Sequence, residues 1–77
     1  MPLSHAQVWK AIDAVARQSG LTASGLARRA GLDATSFNPS KRISPNQRPR
    51  WPSTESVSQV LAVAGLTLAD FAKLADD

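Results

Sequence analysis

The sequence contains no cysteine and no tyrosine, and its aromatic residues are two tryptophans and two phenylalanines. Without cysteine, neither disulfides nor thiolate-bound metals can stabilise the fold. So few aromatic rings also disfavour a single-stranded nucleic-acid binder, which needs several stacking platforms. No apolar run approaches the length of a membrane span, and Met-Pro-Leu-Ser-His at the start lacks the regions of a signal peptide. We therefore expect a cytoplasmic protein with no membrane partner.

Motifs for catalysis are equally scarce. His5 is the single histidine, and at a helix start we expect it to be solvated. The sequence has no nucleophile elbow, no glycine-rich phosphate loop and no metal-ligand spacing. We therefore predict no enzymatic activity, no catalytic residue, no cofactor and no metal site.

The charge is unevenly distributed along a chain whose 77 residues predict one domain, 1–77. The segment 28–50 has one acidic residue, Asp33, and its net charge is +5, whereas the rest of the chain has a net charge of −2. The six basic residues of the segment are Arg28, Arg29, Lys41, Arg42, Arg48 and Arg50. This asymmetry indicates a polyanionic partner for one face. A solvated basic loop is the alternative.

Apolar periodicity predicts an all-α fold of five helices and no strands. The predicted helices are Ser4–Ser19, Ala23–Ala30, a third from Ala34, a fourth after the Ser53 cap, and Leu68–Ala75, with a loop over 43–52. Ser4 with Gln7 and Thr67 with Asp70 fit capping boxes. Three similar segments, "GLTASGL" at 20–26, "GLDATSF" at 31–37 and "GLTLADF" at 65–71, each combine a helix stop, a leucine and a new cap. We interpret them as tight helix junctions.

Pro39 limits the third predicted helix, because it has no N–H to donate and biases Asn38 away from helical angles. Two readings are open. The helix ends near Asn38, or Asn38 caps a further turn that has Pro39 at its first position.

The segment "TASGLARRAGLDATSFN", with the later helix "STESVSQVLAVAG", resembles the helix-turn-helix domains of phage-repressor-like transcription regulators. "FNPSKR" and "RWPSTESVSQVL" resemble a subgroup of bacterial repressors that carry a C-terminal self-cleaving serine peptidase domain. The resemblance covers residues 5–75 and implies a five-helix domain whose second and third helices form the motif. One departure is Ser40, where the family has an apolar residue.

The resemblance implies that the helix starting at Ala34 enters the major groove of double-stranded DNA. The side chains then best placed to meet base edges are Ala34, Thr35, Ser36 and Asn38. Lys41 and Arg42 would contact either guanine or phosphate. For Thr35 and Ser36 the alternative is helix-capping chemistry, and for Asn38 it is a cap before Pro39.

Phosphate contacts are expected around the same motif. The N-terminus of the second helix offers peptide N–H groups for this purpose. The phosphate-contact candidates are Thr22, Ala23, Ser24, Arg28, Arg48, Arg50 and Ser53. We expect Trp51 to anchor the proline-rich loop rather than to stack on bases.

The expected function is sequence-specific binding of double-stranded DNA, as the DNA-binding domain of a bacterial transcription regulator that is a nucleoid-associated repressor. We expect it to act as a homodimer on a two-fold operator. The last helix is a candidate dimer surface, although its apolar positions could instead complete the core. The alternative function is a helical protein-interaction module, antitoxin-like or adaptor, whose basic loop meets an acidic protein.

Overall fold

A computed structural model describes residues 3–76. It contains four α-helices: α1 (His5–Gln18), α2 (Ala23–Arg29), α3 (Thr54–Ala64) and α4 (Leu68–Asp76). A short 3₁₀ helix spans Pro39–Lys41. Within the described residues no strand forms beyond one isolated antiparallel bridge, between Ile43 and Pro49. The predicted all-α class is therefore confirmed.

Helix α1 forms the centre of the molecule and packs against α2 and α4, while α2 also contacts α3. It contributes seven buried residues, among which Ile12 and Val15 are fully enclosed. Leu26, Phe37, Val60 and Phe71 complete the core from the other segments. The core is thin because each of the other α-helices buries only one or two side chains, and the 3₁₀ helix buries none.

The ends of the helices follow the local sequence closely. At the start of α1, Ser4 Oγ accepts from the Gln7 N–H at 3.1 Å and the Ser4 N–H donates to Gln7 Oε1 at 2.9 Å. Thr67 and Asp70 exchange the same pair of bonds at the start of α4. Both predicted capping boxes are thus confirmed, and so is the Ser53 cap of α3.

The α-helix predicted to start at Ala34 does not form, and this corrects the expected count of five. Residues 34–37 make consecutive turns, with the Ser36 N–H donating to the Asp33 carbonyl and the Asn38 N–H to that of Thr35. Asn38 is extended at φ −64° and ψ 148°, as a residue before proline prefers. Four residues between Asp33 and Asn38 are too few to repay the cost of helix nucleation.

Of the second reading, the further turn is confirmed and the side-chain cap by Asn38 is not. Asn38 precedes a separate 3₁₀ turn that has Pro39 at its first position, although the Asn38 side chain makes no capping hydrogen bond. We call residues 33–37 the 33–37 turn. It is fastened to the core by Phe37, which is 1% exposed.

Residues 42–50 form a hairpin loop that overlaps the predicted loop 43–52. The Arg50 N–H donates to the Arg42 carbonyl at 2.9 Å, and the Ser44 N–H donates to the Arg48 carbonyl at 2.9 Å. Gln47 has a φ of 69° at its tip. The hairpin brings Trp51 and Pro52 back towards α1, directly before α3 begins.

No single helix in the described part of the chain is long and apolar enough to cross a membrane. Helices α3 and α4 reach that threshold only when taken together, and they are bent by 98° relative to each other.

Candidate functional site

A polar groove of about 390 Å³ opens between the 33–37 turn, the end of the hairpin loop and the start of α3. Its lining residues are Trp9, Asp33, Thr35, Ser36, Phe37, Lys41, Arg50, Trp51, Pro52, Ser53 and Ser56. Five of these were candidates from the sequence: Thr35, Ser36, Lys41, Arg50 and Ser53. The groove therefore joins residues predicted to contact bases with residues predicted to contact phosphate.

The groove is cationic, with one carboxylate that is held by hydrogen bonds. Asp33 Oδ1 accepts from the Thr35 hydroxyl at 2.6 Å and from the Thr35 N–H at 2.8 Å. The hydroxyl bond first, then the N–H bond, and also the positive charge of Lys41 lower the pKa of Asp33 below its ordinary value of 3.8. The Thr35 hydroxyl proton is thus engaged, and its oxygen remains an acceptor for a ligand.

Arg42, a candidate for base contact, is engaged inside the protein instead. Its Nη1 and Nη2 atoms donate to the two carboxylate oxygens of Asp13 at 2.9 and 2.7 Å, in the bidentate geometry of a strong ion pair. Its Nε and Nη2 atoms also donate to the Phe37 carbonyl, at 3.2 and 2.9 Å. The guanidinium carbon lies 4.6 Å from the centre of the Trp9 ring. Arg42 therefore connects α1 to the 33–37 turn, and its guanidinium is occupied by contacts within the protein.

His5 and Trp9 hold the hairpin loop against α1. His5 Nε2 lies 2.7 Å from the Arg42 carbonyl oxygen and 3.0 Å from that of Arg50, and the Trp9 indole N–H donates to the Arg50 carbonyl at 2.9 Å. Carbonyl oxygens only accept, so these two contacts require the proton on His5 Nε2. The Trp9 indole N–H also lies 3.1 Å from that nitrogen, and in this tautomer it donates to the Arg50 carbonyl alone. The imidazole expected to be solvated is thus a structural donor.

A regular spacing in the sequence points to the polar cluster on α1. His5, Trp9 and Asp13 are spaced by four residues and share one face of α1. A face that combines an imidazole, an indole and a carboxylate needs partners elsewhere in the chain. Those partners are Arg42 and the backbone of Arg50, which no local pattern identifies.

Trp51 lies at the edge of the groove. Its ring packs edge-on against His5, with centroids 5.8 Å apart, and 54% of the residue is exposed. The contact with His5 agrees with the anchoring role predicted for Trp51. More than half of the residue nevertheless faces outwards beside the groove cations.

The remaining candidates do not line the groove. Thr22 caps α2 by accepting from the Gly25 N–H at 3.1 Å, next to the half-buried Ala23 and Ser24. Arg28 is exposed on α2 and Arg48 is exposed in the hairpin loop. Ala34 and Asn38, in and after the 33–37 turn, are half-buried.

Protein-family models, curated proteins and solved structures show no match to this chain. The function is therefore inferred from the residues of the groove. Two cationic side chains, several hydroxyls and an exposed indole in one depression suit an anionic ligand with an apolar part.

Proposed function

We propose that the chain binds double-stranded DNA sequence-specifically, as the DNA-binding domain of a bacterial transcription regulator that represses by occupying an operator. The observation that supports this is the groove, where Lys41 and Arg50 stand beside the hydroxyls of Thr35, Ser36 and Ser53. Lysine and arginine neutralise phosphate, and hydroxyls hydrogen-bond to phosphate oxygens or to base edges.

The junction between α2 and the 33–37 turn supports a helix-turn-helix interpretation. Gly31 has a φ of 77°, and the Leu32 N–H donates to the Ala27 carbonyl at 2.9 Å, so α2 ends in a sharp left-handed turn. In this interpretation α2 is the first helix of the motif. The 33–37 turn and the 3₁₀ helix then take the place of the recognition helix.

The roles of individual residues follow from their positions in the groove. Thr35 and Ser36 meet base edges or the adjoining backbone, while Lys41, Arg50 and Ser53 hold phosphates. Arg28 and Arg48 supply further phosphate contacts at the margins. Ala34, in the 33–37 turn, and Asn38, directly after the turn, also contact bases.

We further propose that the protein acts as a homodimer, with two half-sites about 34 Å apart, one turn of the DNA helix. Leu68, the first residue of α4, is 68% exposed beside a cleft of about 360 Å³ lined by Val57, Leu61 and neighbouring residues. An apolar cleft at this position is suited to a second copy of the chain.

Selection from a random duplex library tests both proposals together. We expect enrichment of one site that consists of two inverted half-sites with centres one helical turn apart. Enrichment of a single half-site would retain DNA binding and reject the dimer. No enrichment over an input library, at low salt and with folded protein, would reject sequence-specific binding.

The apolar cleft also favours a second candidate, a helical protein-interaction module. NMR titration with duplex DNA distinguishes the two. The DNA-binding proposal expects amide shifts at Thr35, Ser36 and Lys41. Shifts with a protein partner confined to Val57, Leu61 and Leu68, while the groove is silent to DNA, would support the module instead.

A further inference from the structure

Trp51 is exposed where a large aromatic ring would ordinarily be covered. Among residues 3–76 the large apolar residues that are exposed are Ile43, Trp51, Val63 and Leu68, and of these only Trp51 lines the groove. The other tryptophan, Trp9, is 4% exposed. The indole of Trp51 therefore presents apolar surface at the same opening as the groove cations.

The position of Trp51 is fixed by contacts on both sides. The carbonyl of Arg50, the preceding residue, accepts from both His5 Nε2 and Trp9 Nε1. Pro52 follows with a restricted φ, and the His5 ring meets the Trp51 ring edge-on at 76° between planes. A ring held in this way loses little conformational entropy when a ligand covers it.

The shape of the groove selects the part of a duplex that enters it. A concave groove fits a convex ridge, and in a duplex the convex ridges are the two sugar–phosphate strands. The base faces are stacked inside the duplex and cannot reach an indole. With phosphates placed at Lys41 and Arg50, the apolar surface left for Trp51 is that of a deoxyribose.

We propose that Trp51 is a DNA-contacting residue, whose ring packs against a deoxyribose of the strand that occupies the groove. The inference rests on the proposed duplex binding. It adds an apolar, sequence-independent contact to the charged ones, because every nucleotide carries the same sugar.

Tryptophan fluorescence tests the contact directly, since only Trp51 is accessible to a quencher. Acrylamide quenching is measured with the whole chain, free and saturated with a duplex of mixed sequence at low salt. We expect the duplex to protect Trp51 from acrylamide at least about twofold. We expect the Trp51→Phe variant, which retains only Trp9, to show no such change.

Affinity provides the second measurement, by anisotropy of a labelled duplex. Trp51→Ala should weaken binding about tenfold, and Trp51→Phe, which keeps an aromatic ring, by about twofold or less. Ile43→Ala is the matched control, because Ile43 is 49% exposed in the hairpin loop but does not line the groove. It should bind as the wild type does.

The outcomes separate the two proposals. Wild-type affinity of Trp51→Ala on mixed-sequence duplex, or unchanged quenching in the complex, would overturn the Trp51 contact and leave duplex binding intact. Failure of the wild-type chain to bind duplex at low salt would overturn both. Where Trp51→Ala is unfolded by circular dichroism, the quenching of wild-type Trp51 decides.

Discussion

Two adjacent basic residues, Lys41 and Arg42, have different roles although the sequence presents them as a pair. Lys41 is exposed and lines the groove, whereas the Arg42 side chain is 18% exposed and bound to Asp13 and the Phe37 carbonyl. The planar guanidinium binds both carboxylate oxygens of Asp13 side by side and also donates to the Phe37 carbonyl, a forked geometry that a lysine ammonium lacks. Arg42 thus positions the turn, and Lys41 is available to a ligand.

We expect Arg42→Ala to lower the free energy of unfolding by about 1–3 kcal/mol, because it leaves Asp13 and the Phe37 carbonyl without their charged donor. The melting temperature should fall by roughly 4–8 °C for each kcal/mol lost. Thermal unfolding followed by circular dichroism measures this change.

Lys41→Ala is the matched control for Arg42→Ala. It should leave the melting temperature unchanged and weaken duplex binding. Equal stability of the two variants would show that the contacts of Arg42 contribute nothing to the fold.

The same residues show where sequence reasoning stops. The Arg42–Asp13 pair joins residues 29 apart, and His5 meets the Arg42 and Arg50 carbonyls over separations of 37 and 45 residues. Charge and local spacing carry no information on such pairings. The +5 segment was visible in the sequence, but which of its cations are available for binding was not.

At the scale of elements, the predictions that succeeded concern interactions within a few residues. The caps at Ser4, Ser53 and Thr67 each involve a partner three positions along the chain. The prediction that failed, an α-helix from Ala34, depended on a balance between the Asp33 cap and Pro39. Asp33 instead bonds to the N–H two residues on, in the pattern of an Asx turn.

We expect the hydrogen bonds between Asp33 and Thr35 in the 33–37 turn to stabilise the fold at neutral pH and to lose this effect in acid. The folded-state pKa of Asp33 is lowered by the Thr35 hydroxyl first, so the ionised carboxylate is favoured by folding. The contribution is fully present above the ordinary pKa of 3.8 and is lost as the pH falls through the lower folded-state pKa. Thermal unfolding of the wild type and Asp33→Ala should therefore differ at pH 6, and the difference should shrink as the pH falls below 3.8.

A control for this prediction is Thr35→Val, which removes the hydroxyl donor and keeps the backbone one. Its acid dependence should lie between those of the wild type and Asp33→Ala. Asp70, whose pKa is lowered chiefly by the Thr67 N–H, remains in all three proteins and gives them a common background. Parallel pH profiles for the wild type and Asp33→Ala would contradict the prediction.

At the scale of the whole molecule, the charge asymmetry seen in the sequence is reduced by the fold. Of the six basic residues in 28–50, Arg42 is neutralised by Asp13, and Lys41 and Arg50 line the groove. Arg28, Arg29 and Arg48 are exposed outside it. The molecule thus has a moderately cationic surface, and the groove lined by Lys41 and Arg50 is a concave part of it.

We expect duplex affinity to fall linearly with salt on logarithmic axes. With roughly 4–6 phosphate contacts for each protomer, the slope is about −4 to −5, because each contact releases a condensed counterion. Anisotropy titrations of a labelled duplex at several salt concentrations give the slope. Affinity that does not change with salt would contradict a phosphate-binding groove.

A matched variant refines the salt measurement. Arg50→Gln should reduce the slope by about 1, which is the effect expected when one phosphate contact is lost. Lys73→Gln on α4, which changes the net charge equally but lies outside the groove, should leave the slope unchanged.

The hairpin loop is held by His5 and Trp9, which lie far from it in the sequence. The groove therefore depends on parts of the chain that are distant from one another in sequence. More than half of the described sequence separates Trp9 from the Arg50 carbonyl that accepts its indole proton. Residues 22–42, transplanted into another protein, would carry the 33–37 turn without His5, Trp9 or Asp13 to hold it. The recognition surface is therefore not a portable segment, and redesign of its specificity has to retain α1 together with the turn.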